Sequence, residues 1–183
     1  EKPLADSMEN ARKMVEAAKS AGKTYAVIQN RRYDPRIRAY RSLFESGNLG
    51  SLTTLNSDFY IGAHFGGFRD RMEHVLLLDM AIHTFDADPV AVYCMEWNPM
   101  GSWYDHDASA VAVFEMTDGI VYTYRGSWCA EGLNTTWECD WRGVCEKGSA
   151  LWDGADDFKA QRVAEAGSFF STMEDVDVLI DSD

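Results

Sequence analysis

The chain has 183 residues and carries 30 acidic against 17 basic side chains, which gives a formal net charge of −13 at pH 7. This charge repels nucleic acid and anionic membranes, and no basic run longer than Arg31-Arg32 offsets it, so both are excluded as partners. The length allows one domain with its own core, because a domain of this size buries roughly 70% of its unfolded surface. No apolar run reaches the ~20 residues that a membrane span needs.

Cysteine usage predicts a reducing compartment. The four cysteines form no C-x-x-C pair and follow no signal peptide, so we expect reduced thiols and a cytoplasmic protein. The chain opens on Glu1-Lys2-Pro3 rather than on methionine, and we expect it to be a piece of a longer protein. No repeat or low-complexity linker divides it, which favours a single α+β domain over residues 1–183.

The N-terminal part predicts a helix, a strand and a second helix. Asp6 and Glu9 have the spacing of a capping box at the start of an amphipathic helix. Residues 24–29 have the apolar, β-branched composition of a buried strand. Asp34-Pro35 is typical of a helix start and Gly47 of a helix end.

The middle of the chain predicts a strand, a loop and an apolar helix. Residues 52–61 alternate as a strand does, and the glycines of residues 62–68 indicate a loop. The helix that follows contains Asp79 and His83, and Asp88-Pro89 ends it.

From residue 91 onward the pattern changes to a period of two, which predicts an antiparallel meander. A tight turn is expected at residues 117–119 and another at 146–148. The predicted strands cover residues 91–97, 108–116, 120–128, 136–145 and 149–152.

One face of the predicted sheet is aromatic and the other more polar, as expected when helices cover one face. Tyr122 and Tyr124 lie on the aromatic face, and we assign Trp137 and Trp141 to the second face, covered by another subunit. The last thirty residues predict a helix over 158–166 and a short strand or helix at 176–180. The expected fold is α+β, an open, mainly antiparallel mixed β-sheet with helices packed on one face.

Asp79, His83 and Asp86 are polar residues on one stripe of a helix that is otherwise apolar. At about 100° per residue, His83 lies roughly 40° from Asp79 and Asp86 roughly 20° to the other side. A buried carboxylate beside an imidazole is costly unless it is paired or used chemically. Three interpretations are open: a core histidine with satisfied hydrogen bonds, one half of a metal site for which no second helical pair exists, or an acid and base pair.

Several other side chains are candidate site residues. Lys2, whose backbone is restricted by Pro3, is a candidate site residue only in combination with Asp79 and His83. Considered alone, it is an ordinary solvated lysine. His64 lies in the predicted loop and could close over a substrate. The strand tryptophans could line a carbohydrate site, but we interpret them as interface residues.

Together these motifs resemble the Gfo/Idh/MocA family of nicotinamide-dependent oxidoreductases, and the resemblance covers almost the whole chain. In that family the E-K-P motif ends the dinucleotide-binding domain, so this chain resembles the second, substrate-binding and oligomerising domain, with residues 1–3 at the seam. The motifs are Glu1-Lys2-Pro3, Gln29-Asn30-Arg31-Arg32-Tyr33-Asp34-Pro35, Gly47-x-Leu49-Gly50 and Asp79-x-x-x-His83-x-x-Asp86.

The resemblance implies a role for individual residues. Lys2 matches the family lysine that contacts the reacting hydroxyl and the nicotinamide, and His83 matches the general base. Asp79 matches the carboxylate that binds substrate or tunes the base, while Asn30 and Arg31 match a segment near cofactor and substrate. The implied reaction is oxidation of a secondary alcohol of a sugar, cyclitol or similar polyol, with NAD or NADP in the full-length protein.

The sequence also departs from the family pattern. No G-x-G-x-x-G follows a strand, so the nucleotide-binding half is absent and this chain alone should bind NAD poorly and be inactive. Residues 72–75 replace the family's glycine-rich lead into the catalytic helix. A non-catalytic binding or dimerisation module of the same fold and an NAD-dependent glycosidase therefore remain alternatives.

Overall fold

The computed structural model describes residues 4–5, 7–62 and 87–180. The chain divides into two compact units, Glu1–Arg31 and Arg32–Asp183. The predicted helix around Asp79 and His83 lies outside the described residues.

The first unit contains one helix, α1, at Met8–Ser20. Its N-cap is Ser7, whose side chain accepts a hydrogen bond from the Asn10 backbone N–H at 3.2 Å. The cap therefore lies one residue later than the predicted Asp6, which is outside the described residues, because the Ser7 hydroxyl accepts from an otherwise unpaired N–H of the first turn. The strand prediction for residues 24–29 is wrong: the segment has no regular structure, and among the described residues no strand pairs with it.

A 3₁₀ turn at Asn30–Tyr33 spans the division between the units. The second unit, which begins at Arg32, continues with α2 at Pro35–Glu45. The predicted start of α2 is confirmed, with Pro35 in its first turn and the Asp34 carboxylate accepting from the Arg36 N–H at 2.8 Å. Ile37, Tyr40 and Leu43 recur at helical spacing and are buried. This stripe places α2 on one face of the sheet.

Eight strands form one sheet in the order β2-β3-β4-β1-β5-β6-β7-β8. β1 and β4 are parallel, and the other neighbouring pairs among the described strands are antiparallel. The predicted α+β fold with an open, mainly antiparallel mixed sheet is confirmed. The strands are β1 Leu52–Tyr60, β2 Pro89–Trp97, β3 Ser109–Met116, β4 Val121–Ser127, β5 Asp140–Cys145, β6 Gly148–Trp152, β7 Phe158–Glu165 and β8 Thr172–Asp175.

The tight turn between β3 and β4 is confirmed. Residues Thr117–Gly119 form a 3₁₀ turn in which Asp118 and Gly119 have φ values of 61° and 76°. Aspartate and glycine tolerate this left-handed conformation, which is why the two residues signalled the turn in the sequence.

Three of the four tryptophans that we interpreted as interface residues belong to the core, whereas Trp137 is 43% exposed. Trp128, Trp141 and Trp152 are each at most 5% exposed, and the Trp141 ring stacks on Tyr122 with centroids 6.3 Å apart. In the register of β1 and β5, Ser57 pairs with Trp141, and both side chains are buried on the face that α2 covers. Placing Trp141 on the second face was therefore wrong.

The C-terminal prediction is also wrong. Residues 158–166 were expected to be a helix, but β7 covers Phe158–Glu165 and β8 covers Thr172–Asp175, while residues 176–180 have no regular structure. Ala160 of β7 pairs with Ala150 of β6, and the Val176 N–H donates to the Ala160 carbonyl at 2.8 Å. Long-range pairing overrides the helix propensity of this stretch.

No helix among residues 4–62 and 87–180, so far as these are described, has the length and apolar character to cross a membrane. All four cysteines are free thiols. Burial raises the pKa of Cys145 to about 11, with a further contribution from the charge of Glu146, so this thiol stays protonated at neutral pH.

Candidate functional site

Four of the six predicted site residues lie outside the described part of the chain. These are Lys2, His64, Asp79 and His83, and Asp86 of the polar stripe joins them. Their roles stay predictions. The structure does describe both ends of the segment that carries His64 and His83, together with the surroundings of those ends.

The segment leaves the sheet at the end of β1. The Ile61 N–H donates to the Ser127 carbonyl at 3.0 Å, and Gly62 forms an antiparallel bridge with Cys129. A Cβ on Gly62 would lie 2.9 Å from the Ala130 carbonyl oxygen, so the backbone passes here too closely for any larger residue. The departure point is therefore held firmly against the loop after β4.

The segment rejoins the sheet at the start of β2. Ala87 is 2% exposed, and Asp88 exchanges two hydrogen bonds with Thr117, at 3.0 Å to its hydroxyl and 2.8 Å from its N–H. The strand pairings make β2 parallel to β1, so residues 63–86 connect the end of β1 to the start of β2, the edge strand three positions away in the sheet. Such a connection requires a dozen or more residues and is most often helical.

Three aromatic rings surround the departure point. Phe59 contacts Trp128 edge to face with centroids 4.8 Å apart, and Trp137 lies 5.6 Å from Trp128 and 6.1 Å from Phe59. Phe59 and Trp128 are buried, whereas Trp137 is 43% exposed. The cluster thus presents one indole to solvent on a rigid aromatic base, an arrangement that can pack against an apolar ligand surface.

Asn30 and Arg31 lie in the 3₁₀ turn that precedes α2. Asn30 is exposed and Arg31 is half-buried. They are the two predicted site residues that the structure describes, and they belong to the first unit. Their amide and guanidinium groups are suited to hydrogen bonding with a polar ligand.

A charged cluster on the open face of the sheet was not predicted. Arg125 of β4 makes a two-pronged contact with Asp58 of β1, with its Nε 2.7 Å from one carboxylate oxygen and an Nη 2.5 Å from the other. Asp140 of β5 pairs in register with Asp58 and lines the same groove, which has a volume of about 420 Å³. The sequence signal was weak, because these residues occupy ordinary polar positions of alternating strands.

The environment shifts the acid–base behaviour of this cluster. The hydrogen bond to Asp58 and its negative charge raise the pKa of Arg125, so the guanidinium stays charged. Partial burial raises the pKa of Asp140, and the negative charges of Asp58 and Asp153 raise it further. The cluster therefore holds one satisfied ion pair beside a carboxylate whose pKa is raised above its usual value.

Comparison with protein-family models finds no match. A curated relative, Uncharacterized protein y4oX of Sinorhizobium fredii, is 29% identical over 166 residues, which cover 84% of this chain and 46% of the relative. The chain thus spans about half the length of this relative, and it spans about half of the solved structures that it resembles.

Solved structures match the fold over nearly the whole chain. The NAD-binding protein from Listeria innocua superposes with a TM-score of 0.79 at 18% identity, covering 100% of this chain and 56% of its own. An oxidoreductase from Agrobacterium radiobacter, in complex with NAD⁺, L-tartaric acid and magnesium, has a TM-score of 0.74 at 17% identity, covering 99% and 54%. Levoglucosan dehydrogenase in complex with NADH has a TM-score of 0.73 at 16% identity, covering 96% and 52%.

These likenesses define the class of fold. The chain has a fold that also forms about half of each of these oxidoreductase and NAD-binding structures, which agrees with the resemblance expected from its motifs.

Proposed function

We propose that the chain is the substrate-binding and oligomerisation domain of an NAD(P)-dependent oxidoreductase that acts on a secondary alcohol of a sugar, cyclitol or similar polyol. The observation that carries the proposal is the order Lys2-Pro3, Asn30-Arg31, Asp79-x-x-x-His83 in a chain with this fold. Levoglucosan dehydrogenase, a sugar dehydrogenase by its name, is among the structures of similar fold, which supports the substrate class.

The proposed chemistry assigns one task to each residue. His83 removes the proton of the substrate hydroxyl, Asp79 orients the imidazole or holds a neighbouring hydroxyl, and Lys2 stabilises the developing alkoxide. A bound nicotinamide would accept the hydride. This sequence has no glycine-rich phosphate-binding turn, so the cofactor's phosphates have to be held by an N-terminal nucleotide-binding domain outside it.

The connection between β1 and β2 supports a helical position for Asp79 and His83. It joins parallel strands across the sheet, where a helix is the usual solution, and the 79, 83, 86 spacing then puts three polar groups on one stripe. The half-exposed indole of Trp137 lies where this connection begins and offers a flat surface for the C–H face of a sugar ring.

The base is tested by replacing His83 in the full-length protein. With a polyol that the wild type oxidises, we expect His83→Ala to lower kcat by about 10²- to 10⁴-fold while NADH still binds, since general-base catalysis contributes that much. His106→Ala is the matched control, because His106 is an exposed histidine elsewhere in the chain. Unchanged turnover in His83→Ala eliminates the proposed base.

The same assay separates the alternatives. A full-length protein that binds NADH but oxidises no member of a polyol panel favours the non-catalytic module. Release of a free sugar from a glycoside, with no net change in NADH, favours the glycosidase. An upstream sequence without a strand, glycine-rich turn and helix contradicts the dehydrogenase and leaves the module.

We also propose that a second copy of the chain covers the open face of the sheet. Tyr93 and Met95 of β2 are 74% and 55% exposed and pair in register with Val113 and Val111 of β3. Val121 of β4 extends this patch and is 39% exposed. An exposed apolar patch of this kind beside the charged Asp58–Arg125 cluster has the composition of a protein interface.

A further inference from the structure

A basic groove lies beside α2, and none of the residues to which the oxidation was assigned is among its lining residues. It has a volume of about 610 Å³, within the range of small-molecule sites. Arg38, Arg41, Ser42 and Glu45 line it from one stripe of α2, at the helical spacing of three and four residues. The groove lies entirely within the second unit.

The walls of the groove combine charge with apolar surface. Arg32 and Tyr33 enter from the turn before α2, and Leu179 closes the groove from the C-terminal segment. The Tyr33 ring is 72% exposed, with the Arg32 guanidinium 6.0 Å from its centroid, and Leu179 is 80% exposed. A ligand here would meet cationic groups and two apolar side chains together.

Two arginines of the groove, Arg32 and Arg38, differ from Arg36, Arg125 and Arg162 of the same unit. Arg36, Arg125 and Arg162 each contact a carboxylate at 2.5–2.7 Å. Within the described part of the chain, Arg32 and Arg38 have no carboxylate within the 4.0 Å of an ion pair, although acidic residues outnumber basic ones in the whole chain.

The groove also contains one ion pair. Arg41 Nε lies 2.6 Å from the Glu45 carboxylate one turn further along α2, so the carboxylate of the groove is already matched. The groove therefore has excess positive charge in a strongly acidic protein, and its local field attracts anions that the rest of the surface repels. Guanidinium groups bind carboxylates and phosphates with paired hydrogen bonds.

We infer that the groove formed by Arg32, Arg38 and Arg41 is a binding site for an oxyanion, carried as a phosphate or carboxylate group by a small molecule whose body packs against Tyr33 and Leu179. This site goes beyond the proposed function, because it uses none of the residues assigned to the oxidation. The phosphate and carboxylate forms share the same recognition and are distinguished by experiment.

The test measures the binding of inorganic phosphate, and separately of citrate, to the full-length protein by calorimetry at fixed ionic strength. We expect Arg38→Gln and Arg32→Gln each to weaken the preferred anion by about tenfold or more, since a charge-assisted hydrogen bond is lost. Arg38→Lys keeps the charge but not the paired geometry, and should fall between wild type and Arg38→Gln.

Arg12→Gln is the matched control, because Arg12 is an exposed arginine on α1 outside the groove. Arg32 and Arg38 are both exposed, so their variants should keep the melting temperature of the wild type. Failure of the wild type to bind either anion overturns the inference, as does an equal loss of affinity in Arg12→Gln. Neither result bears on turnover by His83, so the two proposals fail independently.

Discussion

Ser57 and Tyr122 form a hydrogen bond inside the core, with their hydroxyl oxygens 2.7 Å apart. They come from parallel strands β1 and β4, and both are at most 1% exposed. Burial raises the pKa of Tyr122, so its hydroxyl remains protonated and can donate. A sheet core rich in aromatic rings thus contains a polar pair that is satisfied internally.

Removing both partners of this pair should cost less than the sum of the two single removals. We expect Ser57→Ala to lower the free energy of unfolding by about 1–2 kcal/mol, because it deprives a buried hydroxyl of its partner. Tyr122→Phe should have a similar effect, and the double variant should lose less than the sum of the two. Urea denaturation of all four proteins measures the coupling, and strict additivity would contradict a direct bond.

Local sequence patterns correctly predicted those structural features that depend on a few neighbouring residues. Asp34-Pro35 marked the start of α2 and Asp118-Gly119 the turn before β4, and both are confirmed. The cap of α1 is Ser7 and not the predicted Asp6, because serine and aspartate are both good caps and local pattern does not choose between neighbouring positions.

At the scale of elements, α2 rests on the sheet above Gly143. A Cβ at Gly143 of β5 would overlap the ring of Phe44, and the Tyr40 hydroxyl lies next to the same space. The Phe44 ring packs edge to face on Tyr40 at 5.0 Å, which leaves it little freedom to move aside. The small residue in β5 therefore allows the close approach of helix and sheet.

Filling that space should loosen the packing of α2. We expect Gly143→Ala to destabilise the protein by about 1–3 kcal/mol in urea denaturation, as overpacking of a core does. Adding Phe44→Leu should recover part of the loss, because a smaller side chain yields room to the methyl group. Ser149→Ala on the open face is the control, and full stability in Gly143→Ala would show that α2 is not seated over β5.

At the scale of the whole molecule, the proposed dimer depends on the exposed apolar patch on the open face of the sheet. We expect Met95→Asp to raise the dissociation constant of a dimer by about tenfold or more in sedimentation experiments, since it buries a charge in the apolar patch. Val92→Asp is the matched control, because Val92 is 58% exposed on the opposite face of the same strand, against 55% for Met95. A wild type that sediments as a monomer contradicts the second copy.

Position in the sheet could not be predicted from local pattern. Periodicity placed most strands correctly, yet it assigned Trp141 to the wrong face and missed β7 as a strand. A face is defined by the neighbouring strand, and a one-residue difference in register turns every side chain to the other side. The pair Asp58–Arg125 joins residues 67 positions apart, a distance over which local sequence carries no signal.

The sequence by itself determined the period-two strands, the limits of α2, the turn before β4 and the order of motifs that led to the oxidoreductase fold. These depend on side chains a few positions apart, whose preferences act within one element. Only the tertiary structure decided that β1 lies between β4 and β5, that Trp128, Trp141 and Trp152 are core residues, and that Arg32, Arg38 and Leu179 share one groove. Those features depend on pairing and packing between distant segments, which are settled by the burial of the whole chain.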